Sequence, residues 1–209
     1  MIKVEMMDRV FQYDSSEKGA EDIIQSVSDI TSQSGLILDC MDIDGNRIYT
    51  GYDEYIRENI GSIKDIIVRL ITEDEFVMDI IQTTYSYIQG ALPEVQPIID
   101  SLYTGNKDAG HIDNLGDLME GISWIFSVNR EIIEKYRGNK SLSSLLSLNY
   151  GENIQRLEEV FNELKAAIMN MDYILIADIL NYEISDIFSS ILAVVQKSGI
   201  GREAAGNMQ

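Results

Sequence analysis

The sequence predicts an α+β protein in two parts, a small β-rich segment followed by an all-helical array, and three observations carry that prediction. Residues 36–50, LILDCMDIDGNRIYT, alternate around Asp44 and Gly45, the pair favoured in a two-residue hairpin loop where both central residues need φ > 0. Two further stretches lean to β structure, IKVEMMDRVFQY at 2–13 and the β-branched run IIVRLI ending at Ile71, because branched side chains are stiff in a helix and fit a pleated sheet. From Glu73 onward apolar residues recur at three- and four-residue spacing with no convincing strand.

In the first part, residues 2–13 read as two short strands joined by a tight turn around Asp8 and Arg9, with one irregular strand as the alternative. Asp14 then stands as an N-cap with Glu17 as its capping-box partner, and Ala20, Ile23, Ile24, Val27 and Ile30 share one helical face that ends near Gly35. The hairpin loop fixes a register in which Ile43 faces Asn46, Asp42 faces Arg47, Met41 faces Ile48 and Cys40 faces Tyr49. A short helix over Tyr52–Asn59 is interrupted at Gly61. A last strand runs to Ile71, and Thr72 with Glu75 forms a second capping box.

That order, with LDCMDIDGNRIYT, GYDEYIREN and DIIVRLIT following one another, resembles the ubiquitin-like β-grasp fold over residues 1–72. The resemblance is one of topology and carries no functional family. A ubiquitin-type modifier ends in a free diglycine tail, whereas this chain runs from Thr72 into a helix, so conjugation is not implied. If residues 2–13 form a single strand, a ferredoxin-like unit is the rival. Neither fold names a function.

In the second part, a helix over 73–89 carries Phe76, Val77, Ile80, Ile81, Tyr85 and Ile88 and is expected to stop at Gly90. Pro93 suits the first turn of a new helix, which Pro97 shortens or kinks. Thr104 to His111 reads as a loop and the preferred site of proteolysis, and Asp113 or Asn114 as the cap of a helix with Leu115, Leu118, Met119, Ile122, Ile125, Phe126 and Ile133 on its stripe. SLSSLLSL is a short helical or irregular connector. A clean amphipathic helix follows with Ile154, Leu157, Val160, Phe161, Leu164, Ile168 and Met171. From Asp172 the final helix is apolar on more than one face, which calls for a central position or a partner. The expected organisation is 1–72, 73–198 and a frayed tail over 199–209. Because Thr72 both ends a strand and caps a helix, the joint should be short and stiff.

Hydrophobic residues make up 45% of 209, enough for a well-filled core despite a net charge of -19. With 35 acids against 16 bases the chain lacks the cations that nucleic acid and anionic membranes need, and a basic partner is the complementary expectation. Cys40, the only cysteine, has no intramolecular partner and reads as a small strand hydrophobe. The sequence shows no signal-like segment and no membrane-length apolar run, so the expected location is cytoplasmic.

Asp42, Asp44 and Asn46 reproduce the first three ligand positions of an EF-hand loop. Arg47 occupies the place of the required glycine, Asp53 that of the bidentate glutamate, and the flanks are strands, so an acidic hairpin outweighs a cation site. His111, the only histidine, is expected to be a solvated loop residue. Asp178, Glu183 and Asp186 interrupt the apolar final helix, with Asp178 and Tyr182 placed to form a buried polar pair. Tyr85, Tyr87, Tyr103 and Trp124 cluster in the first half of the helical part, where they either pack in an interface or line a groove for a partner. No nucleotide, nucleophile-elbow or zinc-helix motif is present and no cofactor is expected. These readings favour a non-catalytic cytoplasmic protein-interaction module, an adaptor or chaperone-like binder with a basic or helical protein partner, or a homodimer through residues 115–133. The alternative is a small-ligand protein or enzyme with Asp178 and Glu183 in an acidic site between the two parts.

Overall fold

The structure, a computed structural model, describes residues 1–105 and 109–200, with backbone alone for 109–113. The chain divides into a unit spanning Met1–Phe76 and a second unit that begins at Val77.

In the first unit, β1 (Ile2–Met6) pairs antiparallel with β2 (Arg9–Tyr13) from Ile2 opposite Tyr13 to Met6 opposite Arg9. Their turn is Met7-Asp8, both left-handed at φ 49° and 60°, one residue earlier than the sequence suggested. Helix α1 (Glu17–Ser34) follows. Its cap is Ser16, whose Oγ accepts the Gly19 N–H at 3.2 Å, and not Asp14. The Asp14 carbonyl instead folds over Gly19 so closely that a Cβ there would lie 1.9 Å from its oxygen. Only glycine admits that approach.

The hairpin follows as β3 (Ile37–Ile43) and β4 (Asn46–Ile48), then α2 (Tyr52–Asn59) and β5 (Asp65–Ile71). The expected pairs Met41–Ile48, Asp42–Arg47 and Ile43–Asn46 form around Asp44 and Gly45, at φ 49° and 84°. Tyr49 lies beyond β4, and Cys40 finds its neighbour in Arg69 on β5, after an irregularity between Leu38 and Cys40. The sheet order is β2-β1-β5-β3-β4, with β1 and β5 parallel and the other pairs antiparallel. Two strands at the N-terminus and a parallel first–last pair make this the β-grasp arrangement and set aside the ferredoxin-like rival. Alternate residues Ile2, Val4 and Met6 turn inward with Met41, Ile43, Ile66 and Val68 to meet Ala20, Ile23 and Val27 of α1, as the two-residue strand period requires.

Helix α3 (Glu73–Thr104) opens on the expected capping box: the Thr72 N–H donates to Glu75 at 2.7 Å, and the Glu75 N–H donates to Thr72 Oγ1 at 3.2 Å. The expected break at Gly90 does not occur. Pro93 and Pro97 lie inside one continuous helix, and the carbonyls they leave unpaired, four residues earlier, belong to Gln89 and Pro93. All three residues are exposed, which leaves those carbonyls a solvent-facing side on which the missing donors can be replaced. Helix α4 (Ala109–Lys135) begins before Asp113 and Asn114, which therefore do not cap it, and the backbone of His111 is helical and not in a loop. Asn106–Asp108 of the expected loop, and residues 201–209 of the expected tail, lie outside the described residues.

The connector is a helix, α5 (Lys140–Leu146), capped by Asn139, whose Oδ1 accepts the Leu142 N–H at 3.1 Å. Helix α6 (Tyr150–Met169) is next. The final stretch is α7 (Tyr173–Asp178), a π-helical segment over Ile179–Ile184, and α8 (Ser185–Ser198). In the π turn the Ser185 backbone N–H donates to the Leu180 carbonyl five residues back, a widening that shifts the faces presented afterwards. α6 packs against α4, α5, α7 and α8. Phe126 and Phe161 meet at 5.1 Å between ring centroids, and Arg130 reaches Glu158 at 2.7 Å. The final stretch touches α5 and α6, and α3 joins it through Gln196 Nε2 donating to Tyr85 Oη at 2.9 Å. Neighbours on several sides cover most of its broad apolar surface. Among the described residues no helix is long and apolar enough to cross a membrane.

Candidate functional site

A buried polar hub sets the spacing of three helices. Asn129 of α4 falls in phase with the buried Ile122, Ile125 and Ile132, where an apolar residue is the ordinary choice. Its Nδ2 donates to Thr84 Oγ1 of α3 at 2.8 Å and to the Ile125 carbonyl at 2.9 Å, and its Oδ1 accepts the Tyr150 hydroxyl of α6 at 2.7 Å. Thr84, Asn129 and Tyr150 are all fully buried. Burial pushes the Tyr150 hydroxyl well above the usual tyrosine range, while the Thr84 hydroxyl acts in the opposite direction. A polar group this deep is tolerated because it is bonded, and its directionality holds α3, α4 and α6 in one arrangement.

Beside that hub α3 and α4 leave a groove. On α3 the facing positions are small, Ser86, Gly90 and Ala91, and the floor is apolar, with Val95 and Ile98 of α3 and Leu118 of α4, enclosing about 430 Å³. A second compartment of about 500 Å³ continues along the same two helices, between Thr83 and Tyr87 of α3 and Glu120, Gly121 and Trp124 of α4. Tyr87 and Asp117 line both compartments. The Tyr87 hydroxyl occupies the space of the missing Gly121 side chain, since a Cβ there would lie 1.8 Å from its oxygen. Burial raises the Tyr87 hydroxyl, and the negative charge of Asp117 raises it further. Trp124 closes the far end, 40% exposed. From Thr83 to Ile98 the groove follows about 22 Å of α3, at about 1.5 Å per residue.

Of the four aromatic residues singled out from sequence, Tyr87 and Trp124 come together in this groove. Tyr85 is buried and bonded to Gln196, and Tyr103 lies at the C-terminal end of α3. There its hydroxyl donates to Asp178 Oδ1 at 2.5 Å. The expected Asp178–Tyr182 pair does not form: Asp178 turns to α3, and Tyr182, inside the π segment, is 66% exposed. Glu183 and Asp186 share Arg156 of α6, at 2.6 and 2.9 Å. The acids of the final helix therefore serve as ties within the helical unit.

In the hairpin, Asp42 lies 4.0 Å from Arg47 and 3.6 Å from Arg69. The Asp44 carboxylate accepts the backbone N–H groups of Lys64 and Asp65, the latter at 2.9 Å, and Asn46 is exposed on β4. Asp42 and Asp44 thus staple the sheet, and among the described residues no three His, Cys, Asp or Glu side chains converge to hold a metal ion. Cys40 is buried, and burial together with the adjacent Asp39 pushes its thiol up, away from nucleophilic use. The sequence reading missed the hub and the groove's rim. A polar residue in phase with an apolar stripe, Asn129, was the available sign for the first. Small residues in phase on α3 were the sign for the second.

A β-grasp sheet followed by a helical unit that carries an aromatic groove defines an α+β protein. Within that class the chain belongs to the family described as Domain of unknown function (DUF8042), whose model matches residues 79–193, more than half of the chain and wholly inside the helical unit. No curated protein and no solved structure matches it.

Proposed function

We propose that the protein is a non-catalytic protein-interaction module of the cytoplasm, an adaptor or chaperone-like binder, with the α3–α4 groove as its contact face. The observation that carries this reading is Trp124, 40% exposed beside the half-buried Tyr87 at the end of an apolar-floored groove. Half-wet tryptophan and tyrosine side chains next to an apolar floor are the residues that dominate binding energy when a partner covers them. The hub behind the groove supports the reading, because a preformed surface spends less of its binding energy on ordering itself.

The test is capture from native lysate by the full chain, by Trp124→Ala and by an unrelated acidic control. A protein partner is retained by the full chain alone, with at least roughly tenfold less on Trp124→Ala, the loss expected on truncating an interface anchor. Equal retention on the two forms would remove the groove from the reading. Retention no higher than the control would remove the reading itself.

A further inference from the structure

We infer that the occupant of the groove is a basic amphipathic helix of about four turns supplied by another protein, an inference that rests on the interaction reading above. Three features select it. The first is shape: the groove follows two antiparallel helices for about 22 Å, the length of about fifteen helical residues, and its floor of Val95, Ile98 and Leu118 suits apolar anchors repeating every three or four residues. The second is charge. Glu94, Asp117 and Glu120 stand exposed along the rim, and none of the three is in an ion pair among the described residues. The third is chemistry at the end of the groove, where Trp124 is 40% exposed and tryptophan is the side chain that best holds a lysine or arginine cation.

The same charges argue against the other occupants. A second copy of this chain, with a net charge of -19, sets acid against acid, and an anionic membrane surface meets the same repulsion. A basic helix gains from both the floor and the rim. Gly90 fits this role, because a Cβ there would meet nothing within 4 Å and alanine is the better helix former, yet a larger side chain would stand in the path of the incoming helix.

Trp124 is the only tryptophan, so its emission reads the groove directly. The full chain is titrated with three synthetic peptides of about fifteen residues: one with a leucine and phenylalanine face flanked by lysines, one with the same face flanked by glutamates, and one with the lysine composition scrambled. The lysine amphipath is expected to blue-shift Trp124 and saturate, with the glutamate and scrambled peptides at least about tenfold weaker. Asp117→Asn with Glu120→Gln should weaken the lysine peptide about tenfold and flatten its salt dependence, both changes being on exposed positions. Gly90→Leu, whose Cβ would meet nothing within 4 Å, should block it while leaving the circular dichroism unchanged.

Equal affinity for lysine and glutamate peptides, or for ordered and scrambled lysine peptides, would overturn the inference. So would a blue shift that arises from the protein alone as its sedimentation-equilibrium mass rises above the monomer, which would assign the groove to a second copy. If no peptide shifts Trp124 at millimolar concentration the basic helix is also refuted. Lysate capture that still depends on Trp124 would in that case leave the interaction module standing with a different partner class.

Discussion

The two units place their polar groups differently. In the β-grasp unit the inward residues of β1, β3, β5 and α1 are apolar throughout, and the polar work is done at the edges by turns, caps and the Asp42 and Asp44 staples. In the helical unit polar residues enter the core: Thr84, Ser101, Asn129 and Asn139 are the buried polar residues among those described, and all four lie there. The reason lies in how each architecture is specified. A two-residue period combined with a fixed turn leaves a sheet one register, because a slip of one residue would expose every inward side chain. Helices can slide and rotate over one another at modest cost, so a directional contact that only one arrangement satisfies adds specificity. The Asn129 hub serves that purpose and, by fixing α3 against α4, also keeps the groove beside it open.

The largest expected effect tests this contrast. Asn129→Leu leaves the Tyr150 hydroxyl and Thr84 Oγ1 without their partner in a buried site and is expected to cost about 3 kcal/mol, with Tyr150→Phe at roughly 1–3 kcal/mol. Met41→Leu, an apolar exchange of similar volume in the sheet core, should stay below about 1.5 kcal/mol. Urea unfolding of the three variants checks the ranking. If Asn129→Leu were as mild as Met41→Leu, the hub would be a packing element like any other and the contrast between the units would fail.

The same contrast explains what could be read in the sequence. The hairpin, its register, the Thr72–Glu75 box and the α6 stripe were legible because each depends on residues close in the chain. The β-grasp order followed from them. The breaks were not legible. Gly90 and Pro93 look like a helix end, and only the solvent exposure of Gln89 and Pro93, a tertiary property, lets α3 continue. Asp14 has the side chain of a cap, but the close turn at Gly19 gives that role to Ser16. Asp178 was expected to pair with Tyr182 one turn on, and its partner came instead from α3, through Tyr103. The groove was half legible: Tyr87 and Trp124 were in view as aromatics, while Ser86, Gly90 and Ala91, small residues in phase on α3, were not singled out.

A second, smaller effect compares one glycine from each unit. Gly19→Ala forces a Cβ to within 1.9 Å of the Asp14 carbonyl oxygen, so the backbone before α1 must move, at about 1–3 kcal/mol. Gly90→Ala places a Cβ in open space within α3 and should gain about 0.5–1 kcal/mol from helix propensity. Thermal unfolding measures both. Opposite signs support the reading that Gly19 is held by the fold and Gly90 by the groove. A loss at Gly90 would show that α3 itself needs glycine there, and would remove the argument that the position is kept small for a partner.

The smallest expected effect concerns the surface tie between α3 and α7, and it separates a polar contact at the rim of the helical unit from the hub inside it. The hydrogen bond to Asp178, followed by burial and by the charge of Asp178, pushes the Tyr103 hydroxyl up to about 12 from an ordinary value of 10.0. The folded state thus holds this proton to higher pH than the unfolded chain does. Its contribution to stability is complete below pH 10 and is lost as pH rises through 12, the sign required of a group whose folded pKa is raised. Because Tyr103 is 42% exposed, solvent screens the energy and the titration itself is the better observable. The difference in tyrosinate absorbance between wild type and Tyr103→Phe should show one phenol ionising above the ordinary range, and Asp178→Asn, which removes the negative charge, should bring it back down. A difference curve centred on the ordinary value would mean that the tie does not persist in solution, while the hub and the Gln196–Tyr85 bond still fasten α3.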